Sequence, residues 1–256
     1  MQDSPLRDGS APSLTVENRA ATIRLNRPHL HNRLTPDDLA ALDAALTTAE
    51  RDRSLRALVL TGSGRSFCSG FDIGSLGKGD GRAFERLADR LERFRLPTVC
   101  ALNGSVYGGA TDLALACDFR VGVAGMTLLM PAARLGLHYY RGGLQRYVSR
   151  LGANAAKRLF LLAEPQDAET LLRIGYLDEV VADSEALSAR TAALVALLSE
   201  RAPKAVQGMK AALNDIARGD ADLAAVEAAS LAPGSAELVE GRAAWLEKRA
   251  PRFMDP

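Results

Sequence analysis

Two stretches of this chain run from an unbroken apolar segment into a turn that is rich in glycine and yet itself apolar. "RALVLTG" leads into "SGRSFCSGFDIGSL", and "PTVCALNG" leads into "SVYGGATDLALACD". A strand that is apolar at every position is buried on both faces, as in a parallel sheet, and parallel neighbours need a crossover between them. The amphipathic "GRAFERLADRLERFR", with Phe84, Leu87, Leu91 and Phe94 on one face, supplies such a crossover. The resulting alternation of strand and helix through the first half predicts an α/β fold with a parallel sheet and right-handed connections. Ligands bind such sheets beyond the carboxyl ends of the strands. The two loops, Gly62–Gly74 and Gly104–Gly109, are therefore placed to face one site. A surface turn would be more polar. Glycine among apolar residues fits a backbone that closely approaches a ligand, or two tight turns and nothing more.

Other elements read in the same way. "SLTVENRAATIRLNRP" predicts two strands around a turn at Glu17–Arg19, ended by Pro28. "TPDDLAALDAALTTAERD" predicts a helix with Thr35 as N-cap, Pro36 at its first position and a stripe of Leu39, Leu42 and Leu46. "GATDLALACD" reads as a helix and "FRVGVAG" as a strand. From Leu144 onward helices dominate: "LQRYVSRLG", "NAAKRLFLLAE", "QDAETLLRIG", "SEALSARTAALVALLSERA", "PKAVQGMKAALNDIARG" and "VEGRAAWLEKRAPRF", broken only by the strand "LDEVVA". We expect a polar tail over residues 1–12, a core domain over 13–200 and a helical module over 201–256.

Bulk properties exclude several classes. With 47% hydrophobic and 25% charged residues, the balance is that of an ordinary globular protein. A net charge of +1 with dispersed basic residues offers no field for nucleic acid or an anionic membrane. The apolar helical stretches are too short to span a bilayer, and the polar "MQDSPLRDGSAPS" lacks the apolar region of a secretory signal. Cys68, Cys100 and Cys117 are odd in number and sit in apolar surroundings, which fits reduced thiols in a cytoplasmic protein. His29 and His31 stand two apart without a cysteine or carboxylate cluster, so no metal site is expected.

Gly108 and Gly109 stand where a helix begins, and the first N–H groups of a helix have no internal partner. Two such donors from separate loops, converging on one oxygen, make an oxyanion hole. This is where the whole set of motifs becomes informative. "LNRP…N", "RSFCSGFDI", "ALNGSVYGGATDLALACDFRV", "LGLHYYRGGLQR" and "GYLDEVV" occur in order over nearly the whole chain. Together they resemble the crotonase superfamily, the enoyl-CoA hydratase/isomerase family. The resemblance implies a spiral of ββα units and a helical C-terminal region that assembles a homotrimer or hexamer. It implies an acyl-CoA thioester as substrate, with coenzyme A as part of it and no separate cofactor. It also places the oxyanion donors at the N–H groups of Phe71 and Gly109.

The acid–base residues follow the family only in part. Family hydratases carry a glutamate three residues after the second-loop glycine, and Asp112 stands there. It is one methylene shorter, with about 1.5 Å less reach. It is a candidate proton shuttle, or a first-turn carboxylate that stabilises its helix. The family's second glutamate falls at or next to Ala132, and "MPAARLG" contains no carboxylate. The nearby run His138, Tyr139, Tyr140 and Arg141 replaces an apolar stretch of the acyl pocket. It suits a polar acyl group paired with Arg141, or tyrosines packed with their hydroxyls bonded. Methylmalonyl-CoA decarboxylase, of the same superfamily, has a tyrosine in this loop and lacks the second glutamate, and Tyr139 is the matching residue. His138 is a candidate base for hydrolytic chemistry. Three activities stay open: C=C hydration or isomerisation, decarboxylation of a malonyl-type thioester, and binding of acyl-CoA with little turnover. The resemblance also implies coenzyme A contacts from His29 and Arg33, from Ser69, Asp72 and Ile73 in the first loop, and from Trp245 and Lys248 in the last helix. Lys248 equally suits a solvated helix face. A family lysine after "FDI" is replaced by Gly74, with Lys78 nearby.

Overall fold

A computed structural model describes residues 9–75, 80–231 and 234–255. The expected tail lies outside the described residues up to position 8, as does Lys78. The chain opens with the hairpin β1 (Ser13–Glu17) and β2 (Ala20–Leu25), turning through Asn18 and Arg19. Helix α1 (Pro36–Arg51) starts at a capping box. The Thr35 hydroxyl accepts from the Asp38 N–H at 3.3 Å, and the Asp38 carboxylate accepts from the Thr35 N–H at 2.9 Å. Leu39, Leu42 and Leu46 are buried, as their spacing predicts.

Then follow β3 (Ala57–Gly62), β4 (Ser66–Cys68), α2 (Ala83–Glu92), β5 (Thr98–Leu102), β6 (Ser105–Tyr107), α3 (Gly109–Ala116), β7 (Phe119–Val123) and β8 (Thr127–Leu129). The fold is thus α/β, with repeated units of a long strand, a short strand and a helix. The long strands build a six-stranded sheet in the order β1-β2-β3-β5-β7 and a last strand, β10 (Glu179–Val181). Every pair in it except β1–β2 is parallel. β3 and β5 are buried at every residue, the pattern their unbroken apolar sequences require.

The short strands make a second sheet in the order β4-β6-β8 and β9 (Gln166–Asp167). Residue patterning did not reveal it, because three-residue strands inside glycine loops carry no period. Its consequence is direct. β4 pairs with β6, Ser66 opposite Ser105 and Cys68 opposite Val106, and this ladder brings the two glycine loops side by side.

The remaining helices are α4 (Arg141–Lys157), α5 (Ala168–Arg173), α6 (Ser184–Ser199), α7 (Pro203–Arg218), α8 (Leu223–Leu231) and α9 (Ala236–Leu246). The two helices expected at Leu144–Gly152 and beyond run on as α4, broken at Gly152, whose φ of +77° and ψ of 159° are not helical. α8 was not anticipated; Asp222 starts it by accepting from the Ala224 and Ala225 N–H groups at 3.1 Å. The expectation that "EKR" continues the last helix is corrected. α9 stops at Leu246, and Lys248 follows with φ of +53°, a left-handed residue that ends a helix. Among the described residues no helix is long and apolar enough to cross a membrane.

Candidate active site

The β4–β6 ladder sets the geometry. Phe71 follows β4 by three residues, and Gly109 follows β6 by two and opens α3. Gly70 holds φ at +95°, where a side chain would be strained, and a Cβ there would stand 2.8 Å from the Tyr107 carbonyl and 3.4 Å from the Gly109 nitrogen. Glycine therefore lets the two loop backbones touch. Neither the Phe71 N–H nor the Gly109 N–H donates to an acceptor among the described residues. Phe71 and Gly109 line the same cavity, of about 300 Å³. Gly109 is also covered: a Cβ on it would meet the Phe84 ring at 2.8 Å.

Two asparagines, neither singled out from the sequence, hold this arrangement. Buried Asn32 donates through Nδ2 to the carbonyls of Ser63, Ser66 and Phe67 at 2.8, 2.9 and 3.0 Å, and its Oδ1 accepts from the Arg27 N–H at 2.9 Å. Asn103 accepts from the Gly62 N–H at 3.0 Å and donates to the Gly64 carbonyl at 2.8 Å. The signal available was Asn103 directly after the apolar β5 in "ALNG"; Asn32 lies in the polar loop "NRPHLHN" beyond β2 and had no such mark.

Aromatic rings form one wall of the cavity. Phe71 and Phe84 lie 6.2 Å apart, Phe84 and Tyr140 6.4 Å, and Tyr140 stacks on Tyr139 at 4.5 Å. The Tyr139 hydroxyl is buried with no hydrogen-bond partner among the described residues. Burial, with the Asp112 charge adding to it, pushes that phenol well above its ordinary pKa. His138 is exposed and lines the cavity; its Nδ1–H donates to the Tyr139 carbonyl at 2.9 Å, which leaves Nε2 as an acceptor. Ala132 is buried on the same wall, where the resemblance expects a carboxylate. Arg141 lies off this wall. It is exposed and lines a neighbouring hollow with His138, Tyr139 and Tyr140, so it does not face a group lying against Phe71 and Gly109.

Asp112 is placed differently from the expectation. It is fully buried and does not line the cavity. Its Oδ1 accepts from Arg146 Nη1 at 2.7 Å, and its Oδ2 accepts from the Tyr140 hydroxyl. Arg146, itself fully buried, also binds Glu92 at 3.0 Å and Asp89 at 2.7 Å. Asp112 thus belongs to an ion cluster behind the cavity and touches the cavity only through Tyr140. The reason was not visible locally, since Arg146 is 34 positions away. Burial raises the Tyr140 phenol pKa strongly, and the Asp112 charge raises it further.

The implied coenzyme A contacts divide. Ser69 and Ile73 line the cavity beside Phe71. Asp72 and Arg33 pair at 3.1 Å next to that loop, and Ser75 donates to Asp72 at 2.8 Å. His29 is exposed against Gly9, away from the cavity. Trp245 is 84% exposed on α9, and Trp245 and Lys248 do not reach the cavity of their own chain.

The sequence profile of the enoyl-CoA hydratase/isomerase family matches residues 15–256. The chain belongs to that family. It is 32% identical to a crotonyl-CoA hydratase of Syntrophomonas wolfei, over 94% of this chain and 96% of that one. It is 33% identical to a short-chain-enoyl-CoA hydratase of Clostridium acetobutylicum, over 82% of this chain and 84% of that one. Among solved structures, enoyl-CoA hydratase from Bacillus anthracis superposes with a TM-score of 0.87 at 25% identity, covering 96% of this chain and 100% of that one. An enoyl-CoA hydratase/isomerase family member superposes with a TM-score of 0.87 at 27% identity, covering 99% and 100%. The crotonase fold expected from the motifs is the one observed, and a family member of this kind is a lyase or isomerase acting on acyl-CoA.

Proposed function

We propose that the chain binds the thioester carbonyl of an enoyl-CoA between the N–H groups of Phe71 and Gly109 and stabilises the enolate that forms there. The chemistry is hydration or isomerisation of the neighbouring C=C bond. One observation carries this reading: two backbone donors without acceptors stand on paired loops in one apolar-walled cavity. Such a pair favours the oxyanion over the neutral carbonyl, and each donor is worth roughly 3–4 kcal/mol of barrier. Coenzyme A enters and leaves as part of the substrate, with Arg33, Ser69, Asp72 and Ile73 at its approach and no other cofactor. Apolar side chains exposed on α7, α8 and α9, including Leu213, Leu223 and Leu246, favour assembly, which we take to be a trimer or hexamer. In that assembly Trp245 and Lys248 meet a neighbour's site.

The test is incubation with crotonyl-CoA, followed by mass for water addition or by chromatography for double-bond migration. Absence of both, together with absence of thioester binding, refutes the reading. A second reading, decarboxylation of a malonyl-type thioester, is favoured by the unpartnered Tyr139 hydroxyl at the cavity wall. Loss of carbon dioxide from methylmalonyl-CoA without hydration of crotonyl-CoA would select it.

A further inference from the structure

Asp112 is enclosed by Arg146 and Tyr140 and position 132 is alanine, so neither position where the resemblance expects a catalytic carboxylate presents one to the cavity. We propose that Glu85 takes that role, a catalytic carboxylate supplied by α2. This inference rests on the oxyanion reading above. Of the residues lining the cavity only Asp80 and Glu85 carry carboxylates. Asp80 is paired with Arg86 and accepts from the Arg82 N–H at 3.1 Å. The other acids close by are also engaged: Asp72 with Arg33, and Asp89 and Asp112 with Arg146. Glu85 has neither a cation within salt-bridge distance nor a hydrogen-bond donor among the described residues, and it is half-buried.

Its position fits the role. Glu85 follows Phe84, whose ring covers Gly109, and it lines the same cavity as Phe71 and Gly109. Glu85, His138, Tyr139 and Tyr140 line both the cavity and the adjoining hollow of about 1000 Å³ that holds exposed Arg82 and Arg141. The carboxylate thus stands where the apolar cavity opens toward water. In hydration, the Glu85 carboxylate takes a proton from water as the water oxygen bonds to Cβ of the enoyl group. The π electrons of the C=C bond pass to the carbonyl oxygen, held by the Phe71 and Gly109 N–H groups. The protonated Glu85 then gives its proton to Cα as the enolate collapses to the thioester. One water is added and the carboxylate is regenerated. A single carboxylate serves both half-steps.

The experiment compares the wild type with Glu85→Gln and Glu85→Asp. It measures binding of butyryl-CoA, exchange of its Cα hydrogens with solvent deuterium, and hydration of crotonyl-CoA. We expect Glu85→Gln to lose exchange and hydration by roughly 10²–10⁴-fold with unchanged thioester affinity and thermal stability, and Glu85→Asp to retain part of both. Wild-type turnover that survives in Glu85→Gln overturns the role of Glu85 and leaves the oxyanion reading standing. Wild-type binding with no exchange and no hydration also overturns it, since no proton is moved. A wild type that does not bind the thioester overturns the oxyanion reading itself.

Discussion

Replacing Arg146 by methionine tests the ion cluster behind the cavity. The cluster holds three acids, Asp89, Glu92 and Asp112, against three guanidiniums, Arg146, Arg150 and Arg218. Arg146 and Asp112 are both fully buried and meet at 2.7 Å. Without Arg146, Glu92 keeps Arg218 at 2.7 Å and Arg150 at 3.4 Å, and Asp89 keeps Arg218 at 3.7 Å. Asp112 keeps only the Tyr140 hydroxyl. The variant therefore buries one uncompensated carboxylate, which costs about 3–5 kcal/mol. For a chain of this size that lowers the melting temperature by roughly 6–20 °C. Asp112→Asn alone leaves Arg146 with two acids and costs less. The double variant Asp112→Asn/Arg146→Met restores the balance of charge and is expected to be more stable than the sum of the singles predicts, by about 0.5–3 kcal/mol. Urea and thermal unfolding followed by circular dichroism, at one protein concentration, give all four corners of the cycle. An Arg146→Met variant as stable as the wild type, with additive singles, would refute the claim that Asp112 is held by this pair.

Other outcomes follow from the same contacts. Burial alone would raise the Glu92 carboxyl, but Arg146, with Arg150 and Arg218, outweighs burial and holds it below its ordinary value of 4.5. Its stabilisation is complete above about pH 4.5 and is lost as pH falls through the lower folded value, so Glu92→Gln is expected to flatten the acid limb of a stability–pH curve measured by urea unfolding. Gly70→Ala places a Cβ at φ of +95° and 2.8 Å from a carbonyl; we expect a loss of about 1–3 kcal/mol and a larger proportional loss of turnover, and an unchanged turnover would argue against close apposition of the loops. Asn32→Ala removes the donor to the Ser63 and Phe67 carbonyls and leaves the Ser66 carbonyl only Asn103 Nδ2 at 3.3 Å; it is expected to cost about 1–3 kcal/mol, read by thermal unfolding. Tyr139→Phe removes a hydroxyl that has no partner among the described residues and is expected to leave stability intact; a decarboxylase that orients its substrate through that hydroxyl would lose activity.

Much of this architecture was legible because burial leaves periodic marks. The unbroken apolar β3 and β5 announced a parallel sheet, and Thr35, Pro36 and Asp38 announced the start of α1. The glycine loops pointed to backbone chemistry because Gly70 and Gly109 stand among apolar neighbours, and the structure brings Phe71 and Gly109 to one cavity. What escaped was what depends on distant partners. β4 and β6 are strands only because each has the other. Asp112 read as a proton shuttle or a first-turn carboxylate, and only the fold shows that Arg146 encloses it. Glu85 looked like the polar face of an amphipathic helix, and only the fold shows that it lines the cavity. The end of α9 escaped for a local reason: the left-handed residue that follows it is Lys248 and not the glycine that usually marks such an end.

The Arg19 N-terminal turn and the C-terminal tail are joined through Asp255, which binds both Arg19 and buried Arg56, the latter at 2.6 Å. Among the described residues the Arg56 guanidinium has Nε and Nη1 without partners, so Asp255 is its main compensation there. This contact closes a loop of 236 positions from Arg19. During synthesis, which runs from the N-terminus, the sheet edge that carries Arg19 must wait for a residue 236 positions later before its cation is neutralised. The hairpin is thus expected to gain its final protection from hydrogen exchange only once the segment that carries Asp255 has docked on it.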